Sequence, residues 1–403
     1  MKENRINKID RVLLLLTTIL TVVGLVMMFS AGFSHALYLK GDGFYYIKRQ
    51  AVFALAGYIA MLVISYIPYR VYHHFAWLFF FFSYVLLFMT LAMPPINNAK
   101  RWVIVGSFTF QPSELVKFTI VLLFAHLISR KPEHMDNFNY GFLRFLIILG
   151  LVFAVTLSQP HLSGTILIFL IGMSVLFIGG CKVRFFFAGA AMAIPALALL
   201  IMRSDKYRYA IERILTNTQG GDTSSDAYQI TQGLIAIGSG GLFGLGLGNS
   251  RQKQLYVPEP QNDFIFSIIC EELGFIGAFL IVLLFVMFII RGAQISMRSS
   301  DKFGALIAAG ITSQVAIQVL LNIAVVTAIV PNTGIGLPFF SQGGTALFLL
   351  LCEVGVMLSV ARYTDEKEEE IPATEVNEEE ENDEDLYADL IHRERKEEFE
   401  DDD

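Results

Sequence analysis

Apolar runs alternate with short polar or Gly/Pro joints along most of the chain, at approximately 12–32, 50–67, 74–93, 114–129, 142–158, 162–179, 184–202, 263–291, 304–330 and 344–361. A bilayer-crossing helix needs about 20 mainly apolar residues. The pattern therefore predicts an all-α polytopic membrane protein of about ten transmembrane helices, with a large extracytoplasmic loop at 203–262 between helices seven and eight. An even number of crossings puts both termini on one side. With a cytoplasmic N-terminus, about 15 Lys and Arg flank the inner helix ends against about 5 in short outer loops, which is the positive-inside bias. The expected division is a cytoplasmic segment 1–11, a helical body 12–364 and a cytoplasmic tail 365–403. The first run follows Arg11 and reaches Ala31, long enough to span, so it reads as a helix and not as a cleaved signal.

Composition sharpens this. With 54% hydrophobic residues, 35 Phe and a mean hydropathy of +0.56, the chain is too apolar for a soluble protein of 403 residues. The net charge of −7 hides an asymmetry: from Asp365 onward there are 21 acids and 4 bases, so the tail carries −17 and the body +10. The tail is expected to be disordered and solvated. Cys181, Cys270 and Cys352 match no metal spacing and are expected to be buried thiols.

The polar residues that break the apolar pattern are the candidates for chemistry, because an ionisable side chain in a membrane costs about 2.5–3.5 kcal/mol on insertion scales. The richest stretch is Tyr228–Phe275, which brings Glu259, Asp263, Glu271 and Glu272 to the mouth of an apolar run. One of the last two is expected to pair with Lys117 or Arg101. Arg101 and Trp102 lie at an outer interface, where tryptophan alone would be an anchor. Glu114 and Lys117 are spaced i, i+3 on one helix face and can pair. His161 reads as a polar turn residue. Arg203, Lys206, Arg208 and Arg213 alternate with apolar residues like a basic surface segment. The glycine stretch GSGGLFGLGLGNS lacks the strand and βαβ context of a nucleotide site, so no nucleotide is expected; its glycines suit close backbone approach. The uncharged loop PNTGIGLPFFSQGGT is expected to wall a cavity, and Glu353 is an intramembrane acid with no evident partner.

The segments KRWVIVGSFTFQPSELVKF, SQPHLSGT, YQITQGLIAIGSGGLFGLGLGNS, PEPQNDFIFSIICEELGF and PNTGIGLPFFSQGG, in this order and spacing, resemble the SEDS family of bacterial cell-wall proteins (FtsW, RodA and SpoVE). The likeness covers essentially all ten helices, and PEPQNDFIF and PNTGIGLPFF look more like FtsW. Gln342 departs from the family's usual Tyr, His161 from its Asp, and Gln261 and Asn262 from its His-Thr.

The resemblance implies a peptidoglycan glycosyltransferase of the cytoplasmic membrane. It would polymerise lipid II at the outer face in cell division, with a class B penicillin-binding protein and divisome proteins as partners and undecaprenyl-pyrophosphate-linked glycan as substrate. It carries the essential aspartate onto Asp263, the loop tryptophan onto Trp102 and the buried pair onto Glu114 and Lys117, with Arg101 matching a basic position. Asp263 is then the expected general base. Gln111, Ser113, Gln229, Ser239, Arg251, Glu259 and Ser341 are expected to bind substrate. The leaving diphosphate calls for positive charge, from Arg101, Lys117, Arg208, Arg251 or a divalent cation (Mg2+ or Mn2+) whose ligands the sequence does not identify. No nucleic-acid partner is expected. The competing readings are a lipid II flippase using Glu114, Lys117 and Glu353 as a proton relay, a scaffold without catalysis, and an elongation or sporulation paralogue.

Overall fold

The computed structural model describes residues 8–95, 100–106, 108–159, 162–187, 189, 191 and 225–363. The described helices are α1 (Arg11–Lys40), α2 (Tyr45–Tyr66), α3 (Arg70–Met89), α4 (Pro112–Arg130), α5 (Arg144–Ser158, entered through a π-turn at Phe138–Leu143), α6 (Leu162–Ile178), α7 (Ser225–Ser239), α8 (Ile265–Arg298), α9 (Lys302–Val326) and α10 (Gly344–Arg362). A small hairpin, β1 (Val103–Val105) and β2 (Phe108–Phe110), pairs antiparallel before α4 and is the one departure from all-α structure among these residues. Eight helical segments are long and apolar enough to span a membrane, α6 being a shorter apolar helix. The predicted helix over 184–202 lies mostly outside the described residues, as do His161, the basic segment 203–213 and the acidic tail.

Two ends can be distinguished. At one, which we call the basic end, Arg291 pairs with Asp10 at 2.6 Å, Tyr69 Oη donates to Asp301 at 2.6 Å, and Arg362 donates to Ser65 O at 3.2 Å. These contacts join the start of α1 to the last turns of α8, the start of α3 to that of α9, and the end of α2 to that of α10. Most predicted helices run a few residues longer than their apolar runs. The polar residues Ser34 and His35 continue α1 to Lys40, where Gly41 at φ 69° supplies the left-handed cap.

α4 lies at the centre, packed by α3, α6 and α9. Its least apolar face can stay buried because neighbouring helices supply partners. α2 lies close against α10 through small residues: a Cβ on Gly57 would come within 2.8 Å of Leu351, and one on Gly355 within 2.7 Å of Met61 O.

The largest departure from the sequence pattern is at α8. Asp263, just before it, is held by Asn322, twenty residues into α9, and Glu272 is held by Ser30, nineteen residues into α1. At 1.5 Å rise per residue both points stand about 30 Å above the basic end. The segment from Ile265 to Leu273 therefore lies across the bundle, and only the part after Gly274 crosses it. Gly274 makes the corner at φ 67°, ψ −171°, a conformation essentially restricted to glycine.

The corner exposes helix backbone groups, and the glycine stretch after α7 satisfies them. Leu245 and Gly246 N–H donate to Glu271 and Glu272 O at 2.9 and 3.0 Å, while Phe275 and Ile276 N–H donate to Gly241 and Leu242 O at 2.9 and 3.2 Å. A Cβ on Gly244 would sit 2.2 Å from Glu272 O, so the glycines permit the approach. Gly274→Ala should lower stability by about 3 kcal/mol, combining left-handed strain with a backbone clash. Thermal unfolding of the purified protein in detergent checks this.

Candidate active site

A cavity of about 370 Å3 opens between α4, α6, α9, α10, the Glu259–Asp263 segment and the Gly334–Gly343 loop. Its lining descends from Asp263 to Glu353, nine residues from the end of α10 and hence about 14 Å above the basic end. It is thus a polar shaft reaching about half-way through the bundle.

The Gln261–Asp263 segment is fixed through its backbone. Gln342 N–H donates to Gln261 O at 2.8 Å, Ser341 Oγ to Asn262 O at 2.7 Å, and Asn322 Nδ2 to Asp263 O at 2.8 Å. Asn322 also donates to Ile335 O at 2.7 Å. α9 and the loop before α10 therefore grip three successive carbonyls, leaving the Asp263 carboxylate facing the cavity. That loop is itself seated deep: Phe339, at φ 65°, stacks edge-on to Phe288, and Phe340 packs on Phe285. Gln50 holds the loop's far end, accepting from Gly343 N–H at 3.2 Å.

Three charged groups surround the mouth. Burial pushes the Asp263 carboxyl up to about 6, with Glu259 raising it further and Arg101 opposing. Burial lowers the Arg101 guanidinium, against the pull of Asp263. Asn262 Nδ2 donates to Glu259 at 2.7 Å and holds it beside Asp263. Below them Lys117 pairs with Glu114 at 2.8 Å and reaches Gln318 Oε1 at 3.4 Å. At the floor Gln314 Nε2 donates to Glu353 at 2.7 Å.

Of the residues selected from sequence, Arg101, Trp102, Gln111, Glu114, Lys117, Glu259, Asp263 and Ser341 line this cavity. Ser341 is spent on structure: its hydroxyl accepts from Leu337 N–H and donates to Asn262 O. Ser113, Gln229, Ser239 and Arg251 are not in the lining. Ser113 is buried in the first turn of α4, Gln229 bonds Pro258 O and Asn332, and Ser239 donates to Ala236 O within its own helix. Arg251 is exposed, its N–H held by Glu271 at 3.0 Å. Neither Glu271 nor Glu272 reaches Lys117 or Arg101; Glu272 pairs with Lys253 at 2.7 Å, because the corner at Gly274 turns both glutamates away from the cavity. Sequence reasoning missed Gln314 and Gln318, polar residues spaced i, i+4 inside an apolar helix, which was the available signal.

Among the described residues no three His, Cys, Asp or Glu side chains converge to hold a metal ion. A divalent cation riding on a substrate diphosphate needs only one or two protein carboxylates. Glu259 beside Asp263 meets that lesser requirement.

A multi-helix membrane fold with a half-depth shaft lined by the Asp263, Glu259, Glu114 and Glu353 carboxyls, the Arg101 guanidinium and the buried Lys117 ammonium defines a class: polytopic membrane proteins with a polar site among their helices. The chain belongs to the FtsW/RodA/SpoVE family, whose model, described as "Cell cycle protein", matches residues 10–366. It is 40% identical over 366 residues to stage V sporulation protein E of Bacillus subtilis, covering 88% of this chain and 97% of that protein. It is 35% identical over 361 residues to a probable peptidoglycan glycosyltransferase FtsW of Geobacter sp. strain M18, covering 89% and 98%. The fold matches a chain of a solved peptidoglycan synthase complex with a TM-score of 0.73 at 24% identity, covering 89% and 99%. It matches the rod shape determining protein RodA of Thermus thermophilus at 0.65 and 24%, covering 89% and 98%.

The raised Asp263 carboxyl has a definite sign for stability. Folding increases its proton affinity, so the folded state binds the extra proton between about pH 6 and 4, and protonation relieves the cost of a buried charge. Asp263→Asn should therefore stabilise the fold at pH 7.5 by up to roughly 3 kcal/mol, seen as a higher thermal midpoint. It should also flatten the gain in stability that the wild type shows from pH 7 to 5, as read by differential scanning fluorimetry across pH.

Proposed function

We propose that this protein is a peptidoglycan glycosyltransferase that polymerises lipid II at the outer face of the cytoplasmic membrane. The observation that carries the reading is the Asp263 carboxyl, raised to about 6 beside Arg101 and above Lys117 at the mouth of a cavity open to one end of the bundle. Relatives named peptidoglycan glycosyltransferase FtsW support it. Arg70, Arg130, Arg298, Lys302 and Arg362 gather at the opposite end. The positive-inside bias then favours a cytoplasmic basic end, with the mouth and Asp263 outside and both termini inside.

In the proposed reaction the acceptor sugar's hydroxyl oxygen attacks the anomeric carbon of the donor. The bond from that carbon to the diphosphate oxygen breaks, and undecaprenyl pyrophosphate departs with the electron pair. Asp263 takes the hydroxyl proton, a role typically worth 10²–10⁴-fold. Its raised carboxyl is a better base than an ordinary carboxylate, yet still ionised at neutral pH. Arg101 and Lys117 face the cavity from α4 and its approach, where fixed positive charge offsets charge developing on the leaving group. A Mg2+ or Mn2+ ion carried on the diphosphate would be held by Glu259 and share that charge. One displacement converts the donor's α-linkage to β.

A class B penicillin-binding protein and divisome components are the proposed partners. Division is the proposed setting, on the FtsW-like PEPQNDFIF and PNTGIGLPFF segments; the 40% identity to a sporulation protein favours sporulation as the second reading. Filaments on depletion in growing cells support division, whereas normal growth with defective spores supports the other. A flippase needs access from both faces, and the ion pairs Arg291–Asp10 and Arg70–Asp301 that tie the basic end speak against it.

Asp263→Asn should leave folding and partner binding intact and reduce polymer formation from purified lipid II by at least about 100-fold. Wild-type polymerisation should fall as the pH drops through about 6, where the base protonates. Normal polymerisation by the variant removes Asp263 from this role, and translocation of lipid II without polymer supports the flippase.

A further inference from the structure

A second polar system lies behind the proposed base, outside the cavity. Glu271 and Glu272 are fully buried, and Lys253, Ser250 and Ser30 nearly so. Lys253 Nζ donates to Glu272 at 2.7 Å and to Ser30 Oγ at 3.0 Å. Ser30 Oγ in turn donates to Glu272 at 2.7 Å. Glu271 accepts from the Ser250 hydroxyl and from Arg251 N–H at 3.0 Å. A buried ion pair is costly unless its geometry and remaining hydrogen bonds are satisfied. Here each carboxylate is satisfied by the turn at Ser250–Lys253, and none of the partners is free to meet substrate.

This cluster belongs to a longer seam. Ser30 and Ser34 share one face of α1, and His35 follows at the next position. Ser34 Oγ donates to Gln254 Oε1 at 2.8 Å, and the His35 ring lies 3.2 Å from Gln261 Nε2. α1 thus touches the chain at Lys253, Gln254 and Gln261, just ahead of Asp263. The crosswise segment of α8 runs from just after Asp263 to Glu271–Glu272, nine residues from Asp263 to Glu272 and so about 14 Å. A helix that short transmits a shift of one end to the other.

We propose that the Lys253–Glu272 pair, locked to Ser30 and flanked by Glu271–Ser250, is a positioning latch that sets the reach of Asp263 for the acceptor hydroxyl. Lys253 and Glu272 are positioning residues: they touch no substrate and act through the crosswise helix. The inference rests on Asp263 being the base, and its test has a readout that does not.

Three variants are compared in detergent: Lys253→Met, Ser30→Ala, and the paired Lys253→Gln with Glu272→Gln, which keeps a neutral hydrogen-bonded contact. Lys253→Met should lower kcat for lipid II polymerisation at least tenfold with KM within twofold. Ser30→Ala should lower kcat three- to tenfold, and the paired variant should recover at least fivefold over Lys253→Met. By hydrogen–deuterium exchange, peptides covering 250–263 should exchange faster in Lys253→Met and Ser30→Ala, while α4 and α10 stay as in the wild type.

Wild-type kcat and wild-type exchange at 250–263 in folded Lys253→Met or Ser30→Ala overturn the latch. So does exchange rising uniformly over the whole protein, which marks a merely structural pair. If Lys253→Met does not fold, Ser30→Ala decides alone. Polymerisation unaffected by Asp263→Asn removes the base assignment, while the exchange result still tests whether the latch holds the segment.

Discussion

Everything at the candidate site depends on hydrogen bonds to three consecutive backbone carbonyls. A short chain between two helices at the edge of hydrocarbon has no ladder of its own to satisfy its peptide groups, and unpaired carbonyls there are expensive. Gln342 N–H, Ser341 Oγ and Asn322 Nδ2 take the carbonyls of Gln261, Asn262 and Asp263 in turn. The donors come from α9 and from the loop leading into α10, so the backbone at Asp263 is anchored by elements far away in sequence. Because the backbone is gripped, the carboxylate needs no partner of its own and can remain turned to the cavity.

The buried charges fall into two separate systems, each built on one lysine–glutamate pair with a second glutamate held by hydrogen bonds. In the cavity, Glu114 pairs with Lys117 and Glu353 accepts a hydrogen bond from Gln314 along the shaft. Behind it, Glu272 with Lys253 and Glu271 with Ser250 form the second. The corner at Gly274 separates them, since a straight α8 would carry Glu271 and Glu272 down into the bundle. That corner stands only because α7 and the glycine stretch supply hydrogen bonds to the groups it frees. The glycines are therefore explained by backbone contact with α8.

Helix existence was legible because hydrophobic length is what a membrane reads, and the motif residues Arg101, Trp102, Glu114, Lys117 and Asp263 do converge on one cavity. What the pattern could not show is direction. FIFSIICEELGFIGAFLIVLL is apolar apart from Ser267 and two glutamates, so a helix lying across the bundle and one passing through it look alike until a glycine at positive φ is seen. The same blindness misassigned Glu271 and Glu272, whose partner Lys253 sits in a loop with no periodicity to place it. α1 ran past its apolar stretch because Ser34 and His35 are polar for contact with Gln254 and Gln261, and a polar helix end reads as loop. Ser239 and Arg251 belong to the matching motifs yet serve the fold, Ser239 within α7 and Arg251 through its N–H on Glu271, since a motif marks residues held together by structure as well as by chemistry.

The shaft's asymmetry bears on the choice between catalysis and transport. An alternating-access carrier needs two arrangements of comparable free energy, with polar groups able to meet solvent from either side. Here the polar lining ends at Glu353, about 14 Å short of the basic end. The helices below it are tied by Arg291–Asp10 and by Tyr69 and Arg70 on Asp301. Opening that end would separate these pairs and expose the aromatic packing of Phe339 and Phe340 on α8. The loop that seats those rings is the loop that grips Asp263, so motion that opened a through-path would also release the proposed base. Holding an acid still at one face and opening a passage to the other make opposite demands on the same residues, and this packing meets the first.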